Sequence, residues 1–126
     1  MALSIVKGNA FSEGQNRGGW FLGHFIDPNN DPRSTSDLEI KWGVHQAGES
    51  RDEWAKNDQA TTISVLISGR FRLQFPQQQI ILSTEGDYVL WSAGVSHCWY
   101  AELDSKILTV RWPSRPGDSI NMTTKR

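Results

Sequence analysis

The chain has 126 residues, which is enough for one domain with a continuous hydrophobic core. Its 13 basic and 14 acidic residues leave a net charge of −1 without a long run of either sign, which argues against a nucleic-acid or membrane-surface partner. The single cysteine, Cys98, excludes an intramolecular disulfide framework and fits a reducing compartment. Because no signal-peptide pattern or membrane-length apolar segment is present, we expect a cytoplasmic protein.

Short β-rich segments separated by turn residues follow one another along the chain. Segment 20–26 (WFLGHFI) predicts a first strand, and segment 38–45 (LEIKWGVH) alternates apolar and polar residues with the period of a strand. Further strands are predicted at 61–69, 70–75, 79–83, 87–91, 97–103 and 106–112. A series of strands without helical interruption predicts one all-β sandwich or barrel domain over residues 1–126, with its core at about 20–113 and a polar tail at 114–126.

The spacing of glycines and a histidine in segment 86–101 resembles the second sequence motif of the cupin superfamily. Gly86, Gly94 and His97 stand at the glycine and histidine positions of that motif, while Ser92 and Ala101 replace its proline and asparagine. Together with the first motif of the same superfamily, which precedes it in the chain, the resemblance covers about residues 43–101. It implies an all-β, cupin-like double-stranded β-helix (jelly-roll) barrel whose interior receives the histidine.

The first cupin motif is present only in part. Gly69 resembles its anchoring glycine, Thr62 falls at the glutamate position, and the expected histidine pair falls within 53–58, which contains no histidine. One imidazole alone seldom holds a transition metal against water. The resemblance therefore implies no tightly bound cofactor. A divalent transition metal at His97, with a carboxylate from Asp52, Glu53 or Asp58, is the alternative.

His97 is the candidate catalytic residue, because the resemblance places it inside the barrel. A histidine there can serve as acid, base or hydrogen-bond partner, and the alternative is a buried histidine kept for hydrogen bonding. Trp99 follows two residues later, so on a strand it shares the face of His97 and is a candidate ligand-binding residue.

Four further residues are candidates for ligand binding. Thr62 and Ser64 share the face of the missing glutamate, which predicts a polar but uncharged wall. Trp54 stands where the histidine pair is expected. Arg111 interrupts an apolar strand and is either a clamp for a carboxylate or a residue of an edge strand.

The other two histidines and the cysteine have simpler interpretations. His45 lies on the polar face of its alternating segment, which predicts a surface or dimer-interface residue. His24 lies among apolar neighbours and is expected in the core or in an interface. Cys98 points away from His97 on a strand, which argues against a cysteine–histidine nucleophilic pair.

Together these features predict a barrel that binds a small molecule and lacks the usual metal ligands. Metal-independent acid–base activity of the isomerase or epimerase kind stays open, and so does the question of whether the protein is an enzyme. The alternatives are a metal-dependent cupin enzyme, a dioxygenase or isomerase, with an atypical ligand set around His97, and a structural barrel filled by its own side chains. We expect a homodimer, since such barrels commonly pair their outer strands.

Overall fold

The computed structural model describes residues 4–121, and within them the chain is almost entirely β. A short helix α1 (Ala10–Gly14) and a 3-10 turn (Gln15–Arg17) precede the strands. The strands are β1 (Trp20–Leu22), β2 (Glu39–His45), β3 (Ser50–Asn57), β4 (Thr61–Ser68), β5 (Phe71–Phe75), β6 (Gln78–Leu82), β7 (Tyr88–Trp91), β8 (His97–Ala101), β9 (Ser105–Trp112) and β10 (Ser119–Asn121). None of the described helical segments has the length and hydrophobicity needed to cross a membrane.

The strands form two five-stranded antiparallel sheets. The first sheet has the order β1-β2-β9-β4-β7, and the second has the order β10-β3-β8-β5-β6. The crossed order, in which sequence neighbours such as β4 and β5 lie in different sheets, is that of a jelly roll. The predicted all-β class and barrel architecture are therefore confirmed.

Cross-strand pairing arranges the inward-facing residues of the first sheet in three rows. Glu39, Arg111, Thr62 and Trp91 form the first row; Lys41, Thr109, Ser64 and Val89 form the second; Gly43, Ile107 and Leu66 form the third. The rows thus pass from charged to apolar along the barrel. The third row joins the core cluster, which also contains Phe71, Leu73, Leu82 and Ala101. Part of this cluster, including Phe71, Leu73 and Ile107, forms the apolar wall of a cavity whose other walls come from the polar rows.

The outer face of the first sheet is apolar as well. One cross-strand row consists of Ile40, Val110, Ile63 and Leu90, and the next consists of Trp42, Leu108, Val65 and Tyr88. Leu90 and Tyr88, at the edge of the sheet, are more than half exposed. The alternating segment 38–45 therefore directs its apolar side chains outward and its polar side chains into the barrel.

The turn between β4 and β5 requires glycine. Gly69 has φ of 104°, a conformation that L side chains rarely adopt. A Cβ atom at this position would also collide with the backbone oxygen of Asp104. The strand-turn-strand predicted around Gly69 is thus present, and its turn requires glycine both for the positive φ and for the lack of space for a Cβ atom.

The structure differs from the sequence-based elements at three places. The strand predicted at 20–26 ends at Leu22, because the chain turns at Gly23, whose backbone exchanges hydrogen bonds with Arg33 and Thr35. Helix α1 was not predicted because it has only five residues, and strand β3 was not predicted because its sequence is mostly polar and charged. Residues 114–121, assigned to a polar tail, belong to the fold through β10 and the buried Ser114. The rest of the predicted tail, 122–126, lies outside the described residues.

Candidate functional site

A cavity of about 70 Å³ lies between the two sheets, lined by polar side chains and by part of the apolar core. Five of the six predicted site residues line this cavity: His97, Thr62, Ser64, Trp99 and Arg111. They come from β8, β4 and β9, so the fold brings together residues that are up to 49 positions apart in sequence (111 minus 62). Their role in binding stays a prediction.

Trp54 does not join them, which corrects the expectation from the sequence. The pairing of β3 with β8 shifts between Arg51, which lies opposite Trp99, and Ala55, which lies opposite His97. Ala55 therefore shares the inner face with His97, and its neighbour Trp54 lies on the other face. Asn57, two residues after Ala55, lines the cavity.

His97 is a neutral imidazole that donates a hydrogen bond from Nδ1. Its Nδ1 lies 3.3 Å from the carbonyl oxygen of Val95. Because a carbonyl can only accept, the proton of the ring is on Nδ1, and Nε2 keeps its lone pair. Burial lowers the pKa of His97 to about 4, and the positive charges of Arg51 and Arg111 act in the same direction. The ring can accept a hydrogen bond or a proton, but at neutral pH it has no proton to donate from Nε2.

His45 also lines the cavity, so the prediction of a surface or interface histidine is wrong. Its ring lies 4.4 Å from that of Trp99 and 5.4 Å from that of Phe71, between centroids. Nδ1 is 3.2 Å from Oε1 of Glu49, and burial lowers the pKa of His45. The polar face of β2 points into the barrel because the apolar face of the same strand forms the outer surface of the sheet.

Sequence reasoning missed two cations of the cavity, Lys41 and Arg51. Lys41 follows Glu39 on the inward face of β2, and Arg51 begins the inward face of β3. The wall formed by Thr62 and Ser64 is uncharged as predicted, but the strands around it make the cavity strongly basic. The alternation of segment 38–45 would have identified Lys41 as a cavity residue if it had been known which face of the segment points inward.

Three buried polar atoms that belong to residues lining the cavity have no hydrogen-bond partner among the described residues. These are Nε of Arg51, Oγ1 of Thr62 and Nε1 of Trp91. Thr62 is 2% exposed and Trp91 is 8% exposed. Leaving a buried donor or acceptor unpaired costs about 1–3 kcal/mol. The interior is therefore equipped to bind something polar.

Arg111 separates this inner cavity from a second one at the mouth of the barrel. Its guanidinium lies 4.1 Å from the ring centroid of Trp20, and Nε lies 3.3 Å from Oε2 of Glu39. The outer cavity measures about 350 Å³, adjoins the inner one at Trp20, Arg111 and Ser119, and is also lined by Phe25.

The side chains of the inner cavity do not fit a divalent transition metal. Among the described residues, the cavity lining holds a second imidazole, that of His45, but no carboxylate, and the residue opposite His97 on the neighbouring strand is Ala55. Arg51 and Arg111 lie close enough to His97 to lower its pKa, and they would repel a dication. Within residues 4–121 no group of three histidine, cysteine or acidic side chains could hold an ion.

Several solved structures share this architecture. A protein with a double-stranded β-helix domain from Klebsiella pneumoniae superposes with a TM-score of 0.62 at 15% identity, over 71% of this chain and 78% of that one. For KdgF from a Halomonas species, the TM-score is 0.58 at 22% identity, over 64% and 74%. A cupin superfamily protein from Desulfitobacterium hafniense gives 0.56 at 19%, over 62% and 69%. The chain has the cupin fold.

The cupin resemblance inferred from Gly69, Gly86, Gly94 and His97 is thus confirmed at the level of the fold. No family model and no curated protein sequence matches the chain. At these sequence identities the similarity concerns the fold alone, and one cupin barrel can serve a different chemistry from the next. The function must be argued from the cavity.

Proposed function

We propose that this cupin binds a small molecule inside its barrel, without a transition metal at the position of His97. The single observation that carries the proposal is the set of three unpaired polar atoms, Arg51 Nε, Thr62 Oγ1 and Trp91 Nε1, on residues that line one cavity. A barrel evolved only for stability would gain by replacing such atoms with apolar ones. Their presence favours a ligand that completes their hydrogen bonds.

The volume of the inner cavity favours a different reading, the structural barrel. About 70 Å³ is far below the roughly 300 Å³ at which small-molecule pockets begin. The outer cavity of about 350 Å³ meets that limit, and the two adjoin. We therefore assign the ligand to both cavities together. In the structural reading, ordered water in the inner cavity would have to complete the hydrogen bonds of the three atoms.

Acid–base chemistry at His97 is the catalytic extension of the proposal. With its proton on Nδ1 and its pKa lowered to about 4, His97 would act as a base or acceptor at Nε2. His97 lies 4.8 Å from Trp91 between ring centroids, beside one of the unpaired donors. The metal-dependent enzyme is the rival, and the donor set described above speaks against it.

A panel of small molecules, screened by their effect on the unfolding temperature, tests the proposal. A ligand that binds only the folded protein raises this temperature, by an amount that grows with the logarithm of its concentration relative to its Kd. We expect His97→Ala to abolish the shift while the protein stays folded. Cys98→Ser, at the next residue of β8 and on the opposite face, is the matched control and should keep the shift. If His97→Ala unfolds the protein, His97 is structural.

Metal analysis of protein purified without chelators distinguishes the rival. Stoichiometric iron, manganese, nickel, copper or zinc that is lost in His97→Ala would overturn the proposal in favour of the metal-dependent enzyme. Metal below stoichiometry, or metal retained by the variant, supports it.

We also propose that two copies of the chain pair through the outer face of the first sheet. The apolar rows that end at Leu90 and Tyr88 present two adjoining lines of side chains without a charged group. An apolar, uncharged sheet face is self-complementary under a two-fold axis, whereas a charged partner would find nothing to pair with.

A further inference from the structure

The inner cavity carries more positive charge than its own acidic groups neutralise. Lys41, Arg51 and Arg111 line it, and Glu39 stands opposite Arg111 as the acidic member of the same row. Glu39 is already engaged, because Oε2 pairs with Arg111 and Oε1 accepts a 2.7 Å hydrogen bond from Ser114. Within residues 4–121 no carboxylate oxygen lies within 4.0 Å of the charged nitrogens of Lys41 or Arg51.

These cations destabilise one another in the barrel. Burial, together with the positive charges of Arg111 and Arg51, lowers the pKa of Lys41 to about 8. The pKa of Arg111 is lowered by burial and again by Arg51, although Glu39 acts in the opposite direction. Buried charges of one sign are costly unless a group of the other sign accompanies them. An anion in the cavity would remove this cost.

The unpaired atoms require the same partner. Arg51 Nε and Trp91 Nε1 can only donate hydrogen bonds, and Thr62 Oγ1 can either donate or accept. A group that satisfies all three must therefore offer at least two acceptor sites. A carboxylate has two acceptor oxygens, and it carries the negative charge that would balance Lys41 and Arg51.

The two cavity volumes fix the size of the ligand. About 70 Å³ corresponds to roughly five water-sized spheres, which is enough for an acid group but not for a ring attached to it. Beyond Arg111, the outer cavity of about 350 Å³ is lined by Trp20 and Phe25, whose ring centroids are 6.5 Å apart. One face of each ring carries a guanidinium, that of Arg111 on Trp20 and that of Arg17 on Phe25. An aromatic body would therefore pack against the remaining ring surface and against these cations.

We infer that the ligand of this barrel is an organic acid, whose anionic group lies against Arg51, Trp91 and Thr62 and whose body extends past Trp20 into the outer cavity. The inference rests on the proposed function and adds the chemical class of the ligand. It also states which cavity receives which part of the ligand.

Three probe molecules test the acid group and the body of the ligand separately: benzoate, benzamide and acetate. Benzamide has the ring of benzoate without its charge, and acetate has the charge without the ring. Binding is measured by isothermal titration calorimetry and by the unfolding temperature. We expect benzoate to bind, acetate to bind more weakly, and benzamide to have no measurable effect. Phe25→Ala should weaken benzoate binding and leave acetate binding unchanged.

Two substitutions in the inner cavity and one outside it locate the acid group. Arg51→Met should weaken benzoate binding by roughly tenfold or more, because a charge-assisted hydrogen bond is lost. Lys56→Met removes the same charge from the opposite face of β3, where Lys56 pairs with Ile120, and should change the affinity by less than about twofold. Should Arg51→Met fail to fold, Trp91→Phe removes one donor, keeps the aromatic ring and should also weaken benzoate binding.

Four results would overturn the inference, and they differ in what they say about the proposed function. Equal affinity for benzoate and benzamide overturns the acid class but keeps small-molecule binding. Benzoate binding that survives both Arg51→Met and Trp91→Phe places the acid group elsewhere. If no acid binds while neutral members of the panel do, the ligand class is wrong and the proposed function stands; if nothing in the panel binds, both fail.

Discussion

Thr62 lies directly opposite Trp91 on the neighbouring strand, and neither Thr62 Oγ1 nor Trp91 Nε1 has a hydrogen-bond partner among the described residues. Two side chains that are more than nine-tenths buried thus bring unpaired polar atoms to the same row of the barrel. The unpaired atoms destabilise the ligand-free folded protein, and a ligand that completes their hydrogen bonds removes this destabilisation. Stability and binding should therefore respond to the same substitutions in opposite ways.

Thr62→Val tests this opposition. Valine has nearly the shape of threonine without the hydroxyl, so the substitution removes an unpaired buried group. We expect the free energy of unfolding to stay unchanged or to rise by about 1 kcal/mol in urea denaturation, while ligand affinity falls. Thr61→Val, on the outer face of the same strand, is the control and should leave ligand affinity unchanged. A loss of more than about 1 kcal/mol in Thr62→Val would mean that the hydroxyl is paired in the folded protein.

The pH dependence of stability should report on His97. Burial, with Arg51 and Arg111 in support, lowers its pKa from 6.5 to about 4 in the folded protein. Between these two values the unfolded chain binds a proton that the folded chain does not, so the free energy of unfolding falls as pH falls from about 6.5 to about 4. The contribution is on the order of 3 kcal/mol in total.

Comparing wild type with His97→Gln isolates this contribution from that of the carboxylates. The variant should be less sensitive to acid over the same pH range, as measured by urea denaturation at a series of pH values. His24→Gln is the control, since His24 hydrogen-bonds to Ser114 outside the inner cavity. Identical pH profiles for wild type and His97→Gln would show that His97 titrates normally.

The sequence predicted the barrel because the strands and turns are encoded locally. Alternating or β-branched segments such as 61–69 became strands, and Gly69, Gly86 and Gly94 all have positive φ at the turns between them. The cupin spacing then indicated that His97 points inward. These features depend on near neighbours in the chain, which a single sequence displays.

The sequence did not reveal which face of β2 points inward, and this explains the missed half of the site. Alternation in segment 38–45 shows that the two faces differ, but the usual rule of apolar residues inside fails here because the outer face of the sheet is apolar too. His45 was therefore predicted on the surface or in an interface, and Lys41, on the same face, was not considered as a site residue. Trp54 was misplaced because β3 was not predicted, so the alternation that puts Arg51 and Ala55 on the inner face and Trp54 on the other was not available from the sequence.

Asp118 should hold the last strand in place. Its carboxylate accepts hydrogen bonds from Asn57 Nδ2 at 3.0 Å and from the backbone nitrogens of Gln59 at 2.8 Å and Ala60 at 3.1 Å. Because hydrogen bonds to a buried charged group contribute about 1.5–3 kcal/mol, Asp118→Asn should lower the free energy of unfolding by about 2 kcal/mol. Asp58→Asn, at an exposed position of the same turn, should change it by less than about 0.5 kcal/mol. Equal effects would show that the Asp118 contacts do not stabilise β10.

Gly69 and Gly94 form a matched pair of turn residues. Their φ values are 104° and 86°, so alanine is strained at both, at a cost of about 1 kcal/mol or more. At Gly94 the added Cβ would meet nothing within 4 Å, whereas at Gly69 it would collide with the backbone of Asp104 and Ser105. We expect Gly69→Ala to be less stable than Gly94→Ala by at least about 1 kcal/mol in urea denaturation. Equal losses would mean that the turn at Gly69 relaxes freely.

Leu90→Glu should separate the proposed homodimer into monomers. Leu90 is 52% exposed in the single chain and ends the apolar row of Ile40, Val110 and Ile63 on the outer face of the first sheet. A carboxylate buried between two such faces without a partner would cost more than the contact gains. Analytical ultracentrifugation over a range of protein concentrations measures the change.

Leu103→Glu is the control for that experiment, because Leu103 is 54% exposed but lies in the turn after β8, away from the sheet face. We expect this variant to sediment as the wild type does. A wild-type protein that is monomeric at every concentration would refute pairing through this face. So would a dimer that persists in Leu90→Glu and dissociates in Leu103→Glu, since the apolar rows would then play no part in holding the two copies together.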